Sequence, residues 1–174
     1  MIEEKESSAT FYQYKLIKKV PHPKRMNIVY WAVPCIVGIL MMTLITWSSI
    51  FYFLLASPVV LWIHYVISRS VLLVAGSNYH KRWSFSIKSP WIGYMPNQYI
   101  SYSLFRKVTS FAMWISLCVF LILLFWSPLS FITGLIFWHL WFLLPRLYTF
   151  MSLSGQRKDG MIKINPDDIS YYKQ

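Results

Sequence analysis

Two long stretches of the chain, residues 26–68 and 108–145, contain no Lys, Arg, Asp or Glu. A segment of that length without a charge cannot supply the water-facing side of a soluble helix or sheet. A helix that crosses a bilayer needs about 20 apolar residues, so each stretch holds two crossings. A turn falls near the middle of each, at Trp47-Ser48-Ser49 and at Trp126-Ser127-Pro128. Tryptophan favours the headgroup level because its ring is amphipathic, and Ser and Pro break helices. The pattern predicts an all-α membrane protein of four transmembrane helices, over residues 28–47, 50–67, 109–126 and 129–149, paired as two hairpins. The second hairpin is tight and its helices near minimal length, so a shallow re-entrant hairpin is the alternative there.

Composition agrees. Apolar residues make up 56% of the 174 and charged residues 13%, against about 25% charged in a soluble domain. The 17 Lys and Arg against 6 Asp and Glu give +11. All 17 cations fall in residues 1–27, 69–107 or 146–174, and the two turns carry none. The positive-inside rule then places both termini and the central loop in the cytoplasm (N-in, C-in). The expected organisation is a basic N-terminal arm (1–27), a first hairpin (28–68), a basic aromatic loop (69–107), a second hairpin (108–149) and a C-terminal tail (150–174).

The central loop interleaves cations and aromatics without a carboxylate: His80-Lys81-Arg82-Trp83, Lys88, Trp91 and Tyr94, followed by Arg106-Lys107. Aromatics at the acyl boundary and cations on lipid phosphates would suit such a segment. Lys81, Arg82, Trp83, Lys88, Trp91, Arg106 and Lys107 are therefore the candidate docking residues for anionic lipid of the cytoplasmic leaflet or for a protein partner. Stacking on single-stranded nucleic acid uses the same residue types, but lipid already accounts for them, and direct nucleic-acid contact is not expected. Asn97 reads as the cap of a helix running through Tyr99, Tyr102 and Phe105 into the third span. Asn165-Pro166-Asp167-Asp168 reads as the start of a short terminal helix. Residues 11–20 fit neither helical nor strand periodicity and read as an interfacial arm.

No Asp or Glu lies between Ser7 and Lys158. Proton relays, sodium sites and intramembrane hydrolases lean on buried acids, which argues against a pump, an ion-coupled transporter or an enzyme. No nucleophile elbow or Gly-rich phosphate loop occurs either, and no cofactor or metal is expected. His64 and His139 are the candidate intramembrane polar residues. Both sit in the second helix of a hairpin, yet a catalytic zinc wants three protein ligands, so each is expected to bond a neighbouring helix or to lie near the interface. Arg69 and Arg146 are expected to snorkel to the headgroups. Cys35 and Cys118 are read as small packing residues. Gly38 and Gly134 are read as isolated, without the small-xxx-small pattern of a packing face.

An aromatic-basic arm (Tyr12-Gln13-Tyr14-Lys15) precedes a Pro-basic stretch (Pro21-His22-Pro23-Lys24-Arg25) and a hairpin containing Ser57-Pro58-Val59-Val60. Over about the first third of the chain this ensemble resembles the TcpE-like and ConD-like membrane proteins of Gram-positive conjugative elements. A typical member has one hairpin, whereas this chain reads as two. The resemblance implies a non-enzymatic scaffold of a type IV secretion apparatus, seated in the bacterial cell membrane beside a transfer ATPase and other channel proteins. The resemblance carries over no catalytic residue, and self-association is left open. The alternatives are a small transporter or its accessory subunit, and a regulatory or immunity membrane protein.

Overall fold

The computed structural model describes residues 15–21, 24–76, 78–157, 159–165 and 168–173. In chain order they form β1 (Lys15–Pro21), α1 (Lys24–Leu44), α2 (Ser49–Ala75), β2 (Trp83–Ser86), β3 (Gly93–Pro96), β4 (Ile100–Ser101), α3 (Tyr102–Leu123), α4 (Leu129–Ser152), β5 (Met161–Ile164) and β6 (Asp168–Lys173). The four helices are long and apolar enough to cross a membrane. Both turns fall where the Trp-Ser signals place them. At the other end α2 continues to Ala75, and α3 begins already at Tyr102. With these extensions neither hairpin is short.

Each helix buries a narrow stripe and turns its remaining apolar surface outward. On α2 the stripe is Ser49, Phe53, Ala56, Val60, His64, Ile67 and Leu72, the three-and-four spacing of one helix face. Its other faces expose Phe51, Leu54, Leu55 and Trp62, and α3 likewise exposes Phe111, Trp114 and Leu121. Apolar exposure on this scale is foreign to a soluble surface and suits a hydrocarbon solvent. The helix with the most buried face is α4, through Leu135, Trp138, His139, Phe142, Leu143, Arg146 and Thr149. It packs on both α2 and α3.

Helix α4 meets α2 along a seam of small residues. A Cβ on Gly134 would stand 3.2 Å from Ala56 Cβ and 3.3 Å from Phe53 Cα. Ser130, one turn earlier, hydrogen-bonds Ser49 at 3.1 Å. Ser130 and Gly134 therefore form a small-xxx-small face, contrary to the reading of Gly134 as isolated. The outward-turned Cys35 and Cys118 are likewise not the packing residues they were expected to be.

The all-α expectation needs a further correction, because the end of the bundle opposite the turns carries two sheets. Strands β2 and β3 pair as an antiparallel hairpin, Trp83 opposite Pro96. Strands β1, β6, β5 and β4 form a four-stranded antiparallel sheet in that order. The loop 69–107 thus contains a folded hairpin and is not a plain connector. Asn97 caps no helix. Its backbone N–H bonds the Arg82 carbonyl at 2.9 Å and extends the hairpin ladder. The C-terminal segment forms strand β6 where a helix was expected. Asn165 starts the turn from β5 to β6, its N–H on the Asp168 carbonyl at 2.9 Å, because cap and turn use the same residue chemistry. Pro166 and Asp167 lie outside the described residues, as does the arm before Lys15. Strand β1 is an edge strand exposed on both faces except at Val20, which is why residues 15–20 show no alternation.

One core joins sheets to helices. It contains Leu72 of α2, Trp83, Tyr94 and Met95 of the hairpin, Phe105 and Val108 of α3, Leu153 after α4, and Ile162, Ile169 and Tyr171 of the larger sheet. Two contacts pin the junction. The Tyr102 N–H donates to the Gly160 carbonyl at 2.9 Å, and the Lys18 ammonium donates to the Ser152 carbonyl at 2.6 Å. Gly160 lies so close under Tyr171 that a Cβ there would fall 2.1 Å from the ring. We expect Gly160→Ala to displace Tyr171 and cost on the order of 1–3 kcal/mol, the usual range for overpacking. Hydrogen exchange would show lost amide protection across β5 and β6 with the helices retained; unchanged protection of β6 would refute this packing.

Candidate functional site

Two features could carry function: a cationic platform at the sheet end, and a file of polar side chains along the inner face of α4.

Eight cations of the described segments form an exposed group on and beside the sheets. Lys15, Lys18 and Lys19 lie on β1, Lys81 and Arg82 in the turn before β2, Lys88 between β2 and β3, and Arg106 and Lys107 in the first turns of α3. All eight are exposed. The two tryptophans grouped with them by sequence are not: Trp83 is 5% exposed and Trp91 2%. Trp83 lies beside Tyr94 (ring centroids 5.7 Å apart) and stacks on Phe105 (6.3 Å). Their role is to build the core beneath the platform, so neither ring reaches lipid or a partner. The cations remain available.

Few carboxylates temper this charge. Asp168 is largely buried in β6. Burial alone would raise its carboxyl, but hydrogen bonds from Ser170 Oγ at 2.7 Å and Asn165 Nδ2 at 3.2 Å, with Lys19 Nζ at 3.6 Å, bring it below the ordinary carboxylate value. It is therefore ionised at neutral pH and committed to its own sheet. Tyr94 is held protonated, its phenol raised by burial and then by the neighbouring Tyr65, and donates to the His80 carbonyl at 3.2 Å.

The polar file lies within the helices. His64 of α2 and His139 of α4 meet across the seam, Nε2 to Nδ1 at 2.9 Å. A bond between two ring nitrogens needs one donor and one acceptor, so both rings cannot be imidazolium together. The Phe120 ring stands edge-on to His139 at 5.3 Å, and His139 Nε2 is buried without a partner. No group of three metal-ligating side chains occurs among the described residues. The arrangement is a helix-to-helix clamp.

Arg146 follows His139 on the same face, two turns on. It was expected to snorkel and does not: it is 1% exposed. Its Nη2 donates to the Tyr94 carbonyl at 3.1 Å, while Nε and Nη1 have no partner. Gly93, beside Tyr94 on β3, has a φ of +111°, a conformation that L side chains rarely adopt. Arg69, by contrast, is exposed and bonds the Tyr65 hydroxyl one turn back. The seven-residue spacing of His139 and Arg146 was legible as one helical face. What concealed the buried Arg was its place at the end of an apolar run, where snorkelling is the ordinary outcome.

Comparison with known protein families, characterised proteins and solved structures returns no match. What the fold defines is a four-helix body of membrane-spanning length and composition, closed at one end by a basic sheet layer.

The clamp makes a quantitative prediction. His64→Leu alone strands the His139 ring and should cost about 1–3 kcal/mol. The double variant His64→Leu/His139→Phe removes both polar partners and should recover much of that loss. A double-mutant cycle on thermal unfolding in detergent measures the coupling; additive effects would show that the two rings do not interact.

Proposed function

We propose that the protein is a multi-pass, non-enzymatic subunit of a bacterial cell membrane. Both termini and the sheet layer face the cytoplasm, and the chain serves as a scaffold in a conjugative DNA-transfer (type IV secretion) apparatus beside the transfer ATPase. The observation that carries this reading is the segregation of charge. The sheet end gathers the cations of Lys15–Pro21, Lys81, Arg82, Lys88, Arg106 and Lys107, while the turns at 45–48 and 124–128 hold none. A rigid cationic face on an apolar body suits anionic headgroups and an acidic protein surface. The TcpE-like arm and first hairpin support the conjugative assignment. The deficit of carboxylates supports a role exerted through contacts.

Orientation is tested by cysteine labelling in a background lacking Cys35 and Cys118. Ser48→Cys and Ser127→Cys should react with a membrane-impermeant maleimide from outside the cell, and Lys88→Cys only after permeabilisation. The opposite pattern would put the sheet layer outside and remove the scaffold reading in this form.

Partnership is tested by purifying a tagged chain from its host in mild detergent. A transfer ATPase and secretion-channel proteins should co-purify, and deletion should abolish DNA transfer while growth stays normal. Lys81→Glu/Arg82→Glu/Lys88→Glu should reduce that capture by about tenfold or more without impairing membrane insertion. Recovery of no secretion proteins, from preparations in which other membrane complexes survive, would discard the conjugative role.

A second reading, a small transporter or its accessory subunit, draws on the buried His64–His139 pair. The double variant described above decides it. Undiminished activity with both imidazoles replaced removes a transport path through them.

A further inference from the structure

Between the sheet-side ends of α3 and α4 lies a groove of about 330 Å³, apart from both the His64–His139 clamp and the Lys81–Lys88 side of the platform. Its lining is mixed: Arg106, Thr109, Ser110 and Gln156 are polar, while Met113 on α3 and Leu147 and Phe150 on α4 form an apolar wall. Arg106 is exposed, and no lining residue is a carboxylate.

Thr109 is the telling residue. It is 1% exposed, and its hydroxyl has no partner. Within a helix, threonine ordinarily returns its hydroxyl to a carbonyl three or four residues back. Thr43, Thr133 and Thr149 all do so, at 2.9–3.2 Å. Thr109 does not. A buried hydroxyl left unpaired beside a cation, on the wall of a groove, points to a ligand that supplies an acceptor. The ligand must also be anionic at one end and apolar at the other. The first turns of α3 and the last of α4 stand where candidate spans meet the sheet layer, the depth of lipid phosphates.

We infer that this groove binds one anionic phospholipid, its phosphate oxygens accepting from Arg106 and Thr109 Oγ1 and an acyl chain lying along Met113, Leu147 and Phe150. Guanidinium and hydroxyl together give charge-assisted bonds to phosphate, and the apolar wall holds the chain that a soluble phosphate lacks. The inference rests on the membrane reading of the fold but not on the conjugative role.

The test uses the full chain, extracted in mild detergent, exchanged into phosphatidylglycerol or phosphatidylcholine and examined by native mass spectrometry. The wild type should retain one phosphatidylglycerol per chain and no phosphatidylcholine. Arg106→Gln and Thr109→Val should each weaken that retention, and together by at least about tenfold, whereas Lys173→Gln, with the same loss of charge on the exposed end of β6, should leave it unchanged. Met113→Trp should exclude the lipid by filling the groove, with an unaltered circular dichroism spectrum. Retention that survives the Arg106/Thr109 pair or Met113→Trp, or that falls equally with Lys173→Gln, would overturn the site. Displacement by glycerol 3-phosphate alone would assign the groove to a soluble phosphate and overturn the lipid. Carbonate extraction of membranes, run in parallel, reports insertion separately: a chain released by carbonate would overturn the membrane reading itself.

Discussion

A bilayer core offers no water to backbone amides, so every N–H and C=O within it must find its partner inside the same segment or in a closed sheet. The architecture follows that constraint. Between the two turns and the sheet layer the chain is helical, its ladders satisfied internally except where Pro34, Pro58 and Pro145 lack the N–H. Strands occur at one end alone among the described residues, and there the edge strand β1 carries Lys15, Lys18 and Lys19. The charge distribution obeys the same limit, since the long cation stems gather where headgroups and water can solvate them.

What then holds the helices together cannot be apolar burial in the usual sense, because lipid tails are as apolar as leucine. The α2–α4 seam supplies the alternative. Moving from the turns toward the sheets, Ser49 bonds Ser130, the Trp138 indole bonds the Phe53 carbonyl at 2.9 Å, His64 bonds His139, and Arg146 bonds the Tyr94 carbonyl. The first three join α2 to α4 at three levels and fix both register and depth. Each is worth only about 0.6 kcal/mol on average in a membrane, so close packing at Gly134 against Ala56 and Phe53 carries much of the adhesion. The polar contacts decide which faces meet. The last of them also reaches out of the bundle and ties the β2–β3 hairpin to α4.

The helices were legible because a charge-free run long enough to cross a bilayer has few alternatives, and the Trp-Ser turns divide each run once. The strands were not, for two physical reasons. Strand β3 is buried along its whole length and β1 exposed along nearly all of its own, so neither shows the in-out alternation by which strands are recognised. And Asn165 with Asp168 serves a hairpin turn with the chemistry that starts a helix. Among the candidate residues, Lys81, Arg82, Lys88, Arg106 and Lys107 are exposed, as charges with nothing to neutralise them inside an apolar chain must be. Trp83 and Trp91 were misread because an aromatic next to a cation looks the same whether it meets lipid or roofs a core. Arg146 breaks the rule for cations, and its guanidinium finds an acceptor in the Tyr94 carbonyl of β3.

The same seam bears on the choice between scaffold and transporter. Alternating access requires that a buried polar path open first to one side and then to the other. Here the polar file runs along the surface that joins α4 to α2, so opening it would part the helices at Gly134 and unfasten the hairpin at Tyr94 together. A transported proton or cation would also need a counter-charge at depth, and no Asp or Glu lies between Ser7 and Lys158. An anion would find Arg146, but with the guanidinium 1% exposed and bonded to the backbone of β3, reaching it would mean dismantling the fold. The polar residues make better sense as fasteners of a rigid body, which favours a protein that acts by holding others in place.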